Sequence, residues 1–192
     1  MGLLDRMPEA DRQQLKALVK RVGLVVGITV AVLYAFHFWS ERKQAAARAA
    51  LQPWAEMARA SVQGQPPPKE ALDPDGGYVK GRVLPVEHKH GAPDQIHFEL
   101  PPPLRSAKPE DVGTIVWLEY GQKLVGKYEG GAWAYAQTCR ITLIDRARNV
   151  IIARQNVEGP PPPQTISERE HAGYGGMPWP QVIAYLSSLP KR

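Results

Sequence analysis

The sequence predicts an α+β protein: an N-terminal single transmembrane helix, then a small antiparallel β-sheet or barrel-like domain with a C-terminal helix. Three observations predict it. Residues 22–39 (VGLVVGITVAVLYAFHFW) form an uncharged apolar run. Residues 78–158 hold several β-branched and aromatic stretches with no helical pattern between most of them, which favours an antiparallel sheet over βαβ units. Near the C-terminus Val182, Leu186 and Leu189 recur at helical spacing.

The first 21 residues read as a cytoplasmic juxtamembrane segment. Pro8 suits a first helical turn, and Leu15, Leu18 and Val19 share one face of the stretch EADRQQLKALVKR. The run 22–39 follows as the membrane span. At 1.5 Å per residue it reaches roughly 27 Å, about one hydrocarbon core. A buried core helix would carry a polar face, and only Thr29 and His37 interrupt this one. A cleaved signal peptide has a shorter apolar stretch of about 7–15 residues, although Ala45-Ala46-Ala47 imitates a cleavage site. Tyr34, Phe36, Phe38 and Trp39 crowd one end, as an interfacial belt does. Five basic residues in 1–21 face four in 40–60, which places the N-terminus in the cytoplasm and the C-terminal domain outside. The expected location is the bacterial inner membrane, as a single-pass protein. Gly23, Gly27, Ala31 and Ala35 recur every four residues and make a narrow groove for a second helix, from the same protein or a partner.

Residues 40–63 are Ala-rich and predict a helical extension, with Pro53 kinking or restarting it before Trp54–Ser61. Residues 64–77 (GQPPPKEALDPDGG) read as a Pro-rich linker, a semi-rigid spacer. Residues 78–189 then make the mainly β domain. Strands are expected at Tyr78–Glu87, with Pro85 marking an edge or bulge, at Ile96–Leu100, and at Thr114–Tyr120. Further strands are expected at Ala132–Asp145 and Val150–Val157, joined by the hairpin loop Arg146-Ala147-Arg148-Asn149. Pro109 predicts one helical turn at 108–112. Gly121-Gln122 and Glu129-Gly130-Gly131 read as turns, and 164–177 as a loop. Pro178–Leu189 is the terminal helix.

The net charge is +5, of which residues 1–74 hold ten Lys/Arg against seven Asp/Glu. The excess hugs the apolar run, where cations meet lipid head groups, and the downstream domain has no basic stripe of the kind that binds nucleic acid. The lipid bilayer is thus one expected partner. One cysteine, Cys139, excludes an intrachain disulfide and a cysteine-based zinc cluster. It falls inside an expected strand, where a free cysteine acts as a small hydrophobe.

No nucleophile elbow, phosphate loop, H-E-x-x-H pair or dinucleotide fingerprint is present. The ending VIAYLSSLP resembles the last helix of class I cytochromes c, but haem attachment there needs C-x-x-C-H, which a single cysteine cannot supply. The one cluster with ligand chemistry is His88, His90 and His97. On paired strands the three imidazoles would hold zinc or copper, with Glu87 or Asp94 as a fourth ligand; the competing reading of HKHGAPDQ is a solvated polar turn. The expected function is therefore a non-enzymatic, membrane-anchored extracytoplasmic interaction protein, such as an accessory or assembly subunit of an envelope complex, requiring no cofactor. The alternative is a His-based divalent-metal module.

Overall fold

The computed structural model describes residues 38, 42, 45–46, 49–64, 66–167 and 171–192. Nearly all of the apolar run, with the Gly23/Gly27/Ala31/Ala35 face, lies outside them. Among the described residues no helix is long and apolar enough to cross a membrane. The described positions at 38–50 are helical, and the Arg42 guanidinium lies 4.5 Å from the centre of the Phe38 ring. Residues 1–49 form one unit and residues 50–192 a second. The second unit carries the fold, a sheet with its two packed helices.

That fold is α+β. Helix α1 spans Gln52–Gln63 and helix α2 spans Trp179–Ser188. The strands are β1 (Lys69–Glu70), β2 (Arg82–Glu87), β3 (Ala92–Pro93), β4 (Val112–Lys127), β5 (Trp133–Asp145), β6 (Val150–Glu158) and β7 (Ala172–Tyr174). They make one open seven-stranded sheet in the order β1-β6-β5-β4-β2-β3, with β7 also on β5. The sheet is mixed, not antiparallel throughout, and it does not close into a barrel. β2 runs parallel to β4, β1 to β6 and β7 to β5. The β2–β4 pair is parallel because residues 88–111 carry the chain back along the sheet through β3 and two 3₁₀ turns, Gln95–Phe98 and Pro109–Asp111.

Alternation along the strands loads both faces of the sheet. Val116, Leu118, Ile141, Leu143 and Ile152 point to one face and bury Val182 and Leu186 of α2. Ile115, Ile144, Leu84, Val86 and Ile151 point to the other and bury Trp54 and Ala58 of α1. The strand TIVWLEY has no solvent face over most of its length, which is why it reads as a continuous apolar run. Pro85 fits β2 because its missing N–H lies on the outer side. There its carbonyl accepts Asp94 N at 2.9 Å, and Val83 N likewise turns outward to Leu104 O at 2.7 Å.

Three local expectations are corrected. The Pro-rich segment is not a free spacer after its prolines: Ala71 N and Asp73 N donate to Ile151 O (2.9 Å) and Ile152 O (2.8 Å), so Lys69–Glu70 edges the sheet. Gly77, at φ +104°, lets this segment run close to Ala153, where a Cβ would stand 2.7 Å from the Ala153 Cβ. Residues 96–100 are no strand, because the Asp94 carboxylate accepts Ile96 N at 2.9 Å and caps a 3₁₀ turn. Gly121-Gln122 is no turn, since β4 continues through it to Lys127.

Candidate functional site

The three histidines face three different partners. β2 ends at Glu87, so His88 and His90 sit in a turn rather than on alternating strand positions. His88 Nδ1 lies 2.9 Å from Glu119 Oε1, with its ring against Trp117, and exposed His90 Nδ1 lies 2.7 Å from Glu87 Oε1. His97 is turned inward by the 3₁₀ turn and is 2% exposed, between Trp54 (ring centres 5.0 Å) and Phe98 (5.6 Å). Among the described residues no three His, Cys, Asp or Glu side chains are grouped to hold a metal ion.

Burial, aided by the Arg105 charge, lowers the His97 pKa from 6.5. The folded state therefore binds its proton less readily than the unfolded chain. The consequence is a stability that is intact above pH 6.5 and falls as the pH drops below it toward the lower folded value. Replacing His97 by Leu removes this part of the slope in a urea-midpoint series from pH 7.5 to 5.

Cys139 is buried in β5, and its thiol is pushed up to about 12 by burial and by the Asp94 carboxylate. Such a thiol stays protonated and inert. A hollow of about 390 Å³ lies between α1 and the sheet, floored by Ile115 and Ile144 with Glu56, Arg146 and Asn149 at its rim. Arg146 there already donates to Val112 O at 3.0 Å, so convergent free polar groups are few.

The surface that stands out was not singled out by the sequence. β4 and β5 stay paired past the body of the sheet, from Leu118↔Ile141 to Lys127↔Trp133. Gly121 serves this pairing: a Cβ there would press on Thr138 Oγ1 at 3.0 Å. The arm ends in a tight turn in which Tyr128 N bonds Ala132 O and Gly131 N bonds Tyr128 O, both at 2.9 Å, with Gly131 at φ +85°. At the root, Tyr120 donates to Asp94 Oδ2 at 3.0 Å, which ties β4 to the capped 3₁₀ turn. Burial and then the Asp94 charge raise the Tyr120 phenol, so it remains a donor.

The two faces of the arm differ. On one, Ala134 and Ala136 are buried, and Tyr128 closes over Gly173 while donating to Pro163 O at 2.7 Å. The other continues the face that α2 covers lower down. Val116, Leu118 and Tyr120 lead by alternation to Gln122 and Leu124. Leu124 pairs with Tyr135, and Tyr135 with Tyr174, so the three stand side by side across β4, β5 and β7. Tyr135 and Tyr174 stack at 5.5 Å, and Lys127 Nζ lies 3.8 Å above the Trp133 ring. No helix among the described residues covers this row: Leu124 is 51% exposed, Tyr174 49% and the neighbouring Trp133 41%. Contiguous exposed apolar residues of this kind mark interaction surfaces, whereas scattered ones do not.

The arm also has an open edge. β2 accompanies β4 only as far as Leu118, where His88 N donates to Leu118 O at 3.1 Å. Main-chain direction alternates, so the N–H and C=O groups of Tyr120, Gln122 and Leu124 turn to that same side, where no strand among the described residues pairs with them. Compared with known proteins, the chain matches no family model, no curated protein and no solved structure.

Proposed function

We propose that this is a membrane-tethered, non-enzymatic interaction protein, held by residues 22–39 with its folded domain outside the cytoplasm, and that the domain meets a protein partner through the β4–β5 arm. The observation that carries this reading is the uncovered row Leu124, Tyr135 and Tyr174, with Trp133 next along the same face of β5. Aromatic side chains offer large contact area at low entropic cost, and they dominate the energetics of many interfaces. A surface of this composition would be a solubility liability if nothing met it. The apolar run supports the tether, and its small-residue face offers a second contact within the bilayer.

The test is affinity purification of the full chain from its own membranes in mild detergent. A stoichiometric partner is expected with the native chain. The double variant Leu124→Glu/Tyr174→Glu should lose it, while the thermal midpoint stays nearly unchanged because both side chains are already half in water. Recovery of the native chain alone, or undiminished recovery of the partner by the variant, would contradict the reading.

A further inference from the structure

The open edge and the uncovered face belong to the same strand, and together they specify an occupant. Resting on the reading of this arm as the interaction surface, we propose that β4 between Tyr120 and Leu124 accepts an extended peptide segment of the partner as an added strand, with apolar residues on one side and acidic residues on the other. Strand addition uses main-chain groups for attachment and alternate side chains for selection. The main-chain groups available are those of Tyr120, Gln122 and Leu124.

Side-chain selection follows from the two faces. A strand laid beside β4 places every second side chain next to Leu124, on the apolar face. The intervening side chains fall on the opposite face, beside Lys123, with Gly121 offering no steric barrier on that side. Lys123 is more than half exposed, and Glu158 is its one ion-pair partner among the described residues. Lys89 stands exposed in the turn that ends β2, where the added strand would begin. The nearby carboxylates are engaged: Glu119 with His88 and Arg140, and Glu87 with His90. Lys89 has no ion-pair partner among the described residues, and an exposed pair such as Lys123–Glu158 is weak enough for an incoming carboxylate to share the ammonium, which favours carboxylates. Two copies paired edge to edge would instead put both Lys123 side chains on one face of the new strand pair, where nearby like charges are unfavourable.

The probe is an end-blocked, dye-labelled octapeptide of alternating Val and Glu, titrated against the detergent-solubilised full chain by fluorescence polarisation. Two comparisons locate its binding. Gln122→Pro removes one edge-facing N–H while leaving the β4–β5 ladder intact, since proline is tolerated where the N–H faces solvent. It should keep the native thermal midpoint within a few degrees, yet bind about ten-fold more weakly. An alternating Val/Lys octapeptide should bind at least as weakly. Equal binding by the native chain and Gln122→Pro, by the Val/Glu and Val/Lys peptides, or no binding of the Val/Glu peptide, overturns strand addition. Self-association of the native chain that Gln122→Pro abolishes would overturn it in favour of a second copy. The variant Leu124→Glu/Tyr174→Glu separates the two readings. If it loses the native partner while Gln122→Pro keeps it, the face remains the interaction surface and strand addition falls. If both variants keep the partner, both readings fall.

Discussion

Asp145→Ala is expected to destabilise the domain by about 3 kcal/mol, because it strands the buried Tyr78 hydroxyl and leaves two part-buried turn N–H groups without their acceptor. The Asp145 side chain is 1% exposed. Its Oδ2 accepts Tyr78 Oη–H at 2.8 Å, and its Oδ1 accepts Ala147 N at 3.0 Å and Arg148 N at 3.2 Å. It thereby closes the β5–β6 turn and pins the chain entering β2 against the sheet. Burial alone would raise this carboxyl. The hydrogen bonds from Tyr78, Arg148 and Ala147, with the Lys80 ammonium 3.9 Å away, outweigh it and hold the pKa below 3.8. A carboxylate depressed in this way contributes stability that is full above the unfolded value and lost as the pH falls through the lower folded one. Urea midpoints for the native chain and Asp145→Ala should therefore be well separated at pH 7 and converge below pH 3.8. Parallel curves across that range would exclude the role.

Trp54→Ala should cost about 3–5 kcal/mol, the usual range for emptying a large buried aromatic site. Trp54 anchors α1. Pro53 opens that helix, Trp54 lies in its first turn, and its ring packs on His97 and into the cluster of Leu84, Val86, Ile115 and Ile144. Its indole N–H is buried without a partner, so Trp54→Phe, which removes that orphan donor along with some volume, should cost clearly less than the alanine change. Chemical denaturation of the two variants checks the ranking. Equal losses would mean that the ring's packing is not what holds α1 to the sheet.

Legibility in the sequence followed from how local each determinant is. TIVWLEY, the stretch AWAYAQTCRITLID and the loop RARN carry their own periodicity, so β4, β5, β6 and their hairpin could be read directly. The spacing of Val182 and Leu186 likewise named the buried face of α2. Other features depended on partners far along the chain. Gly121 reads as a turn by itself, and only the facing Thr138 explains a glycine inside a strand. The Pro-rich segment reads as a spacer until β6 offers it an edge. Asp94 before Gln95–Phe98 was a local capping signal that outweighed the β-branched Ile96 and turned His97 into the core. The arm was hidden for a physical reason. Leu124, Tyr135 and Tyr174 have the pattern of core residues, and their exposure results from where β2 ends and where α2 begins.

In the proposed function the apolar run at 22–39 is the membrane tether, and the arm, with its exposed Leu124, Tyr174 and Trp133, is the contact with a partner. Site-specific photocrosslinking in native membranes tests that claim most directly. A benzophenone side chain would replace Tyr174 in one preparation. In a second it would replace Glu110, an exposed residue at the opposite end of β4. One discrete adduct is expected from position 174 and none from position 110. Absence of an adduct at 174, or equal labelling from both positions, would contradict that claim.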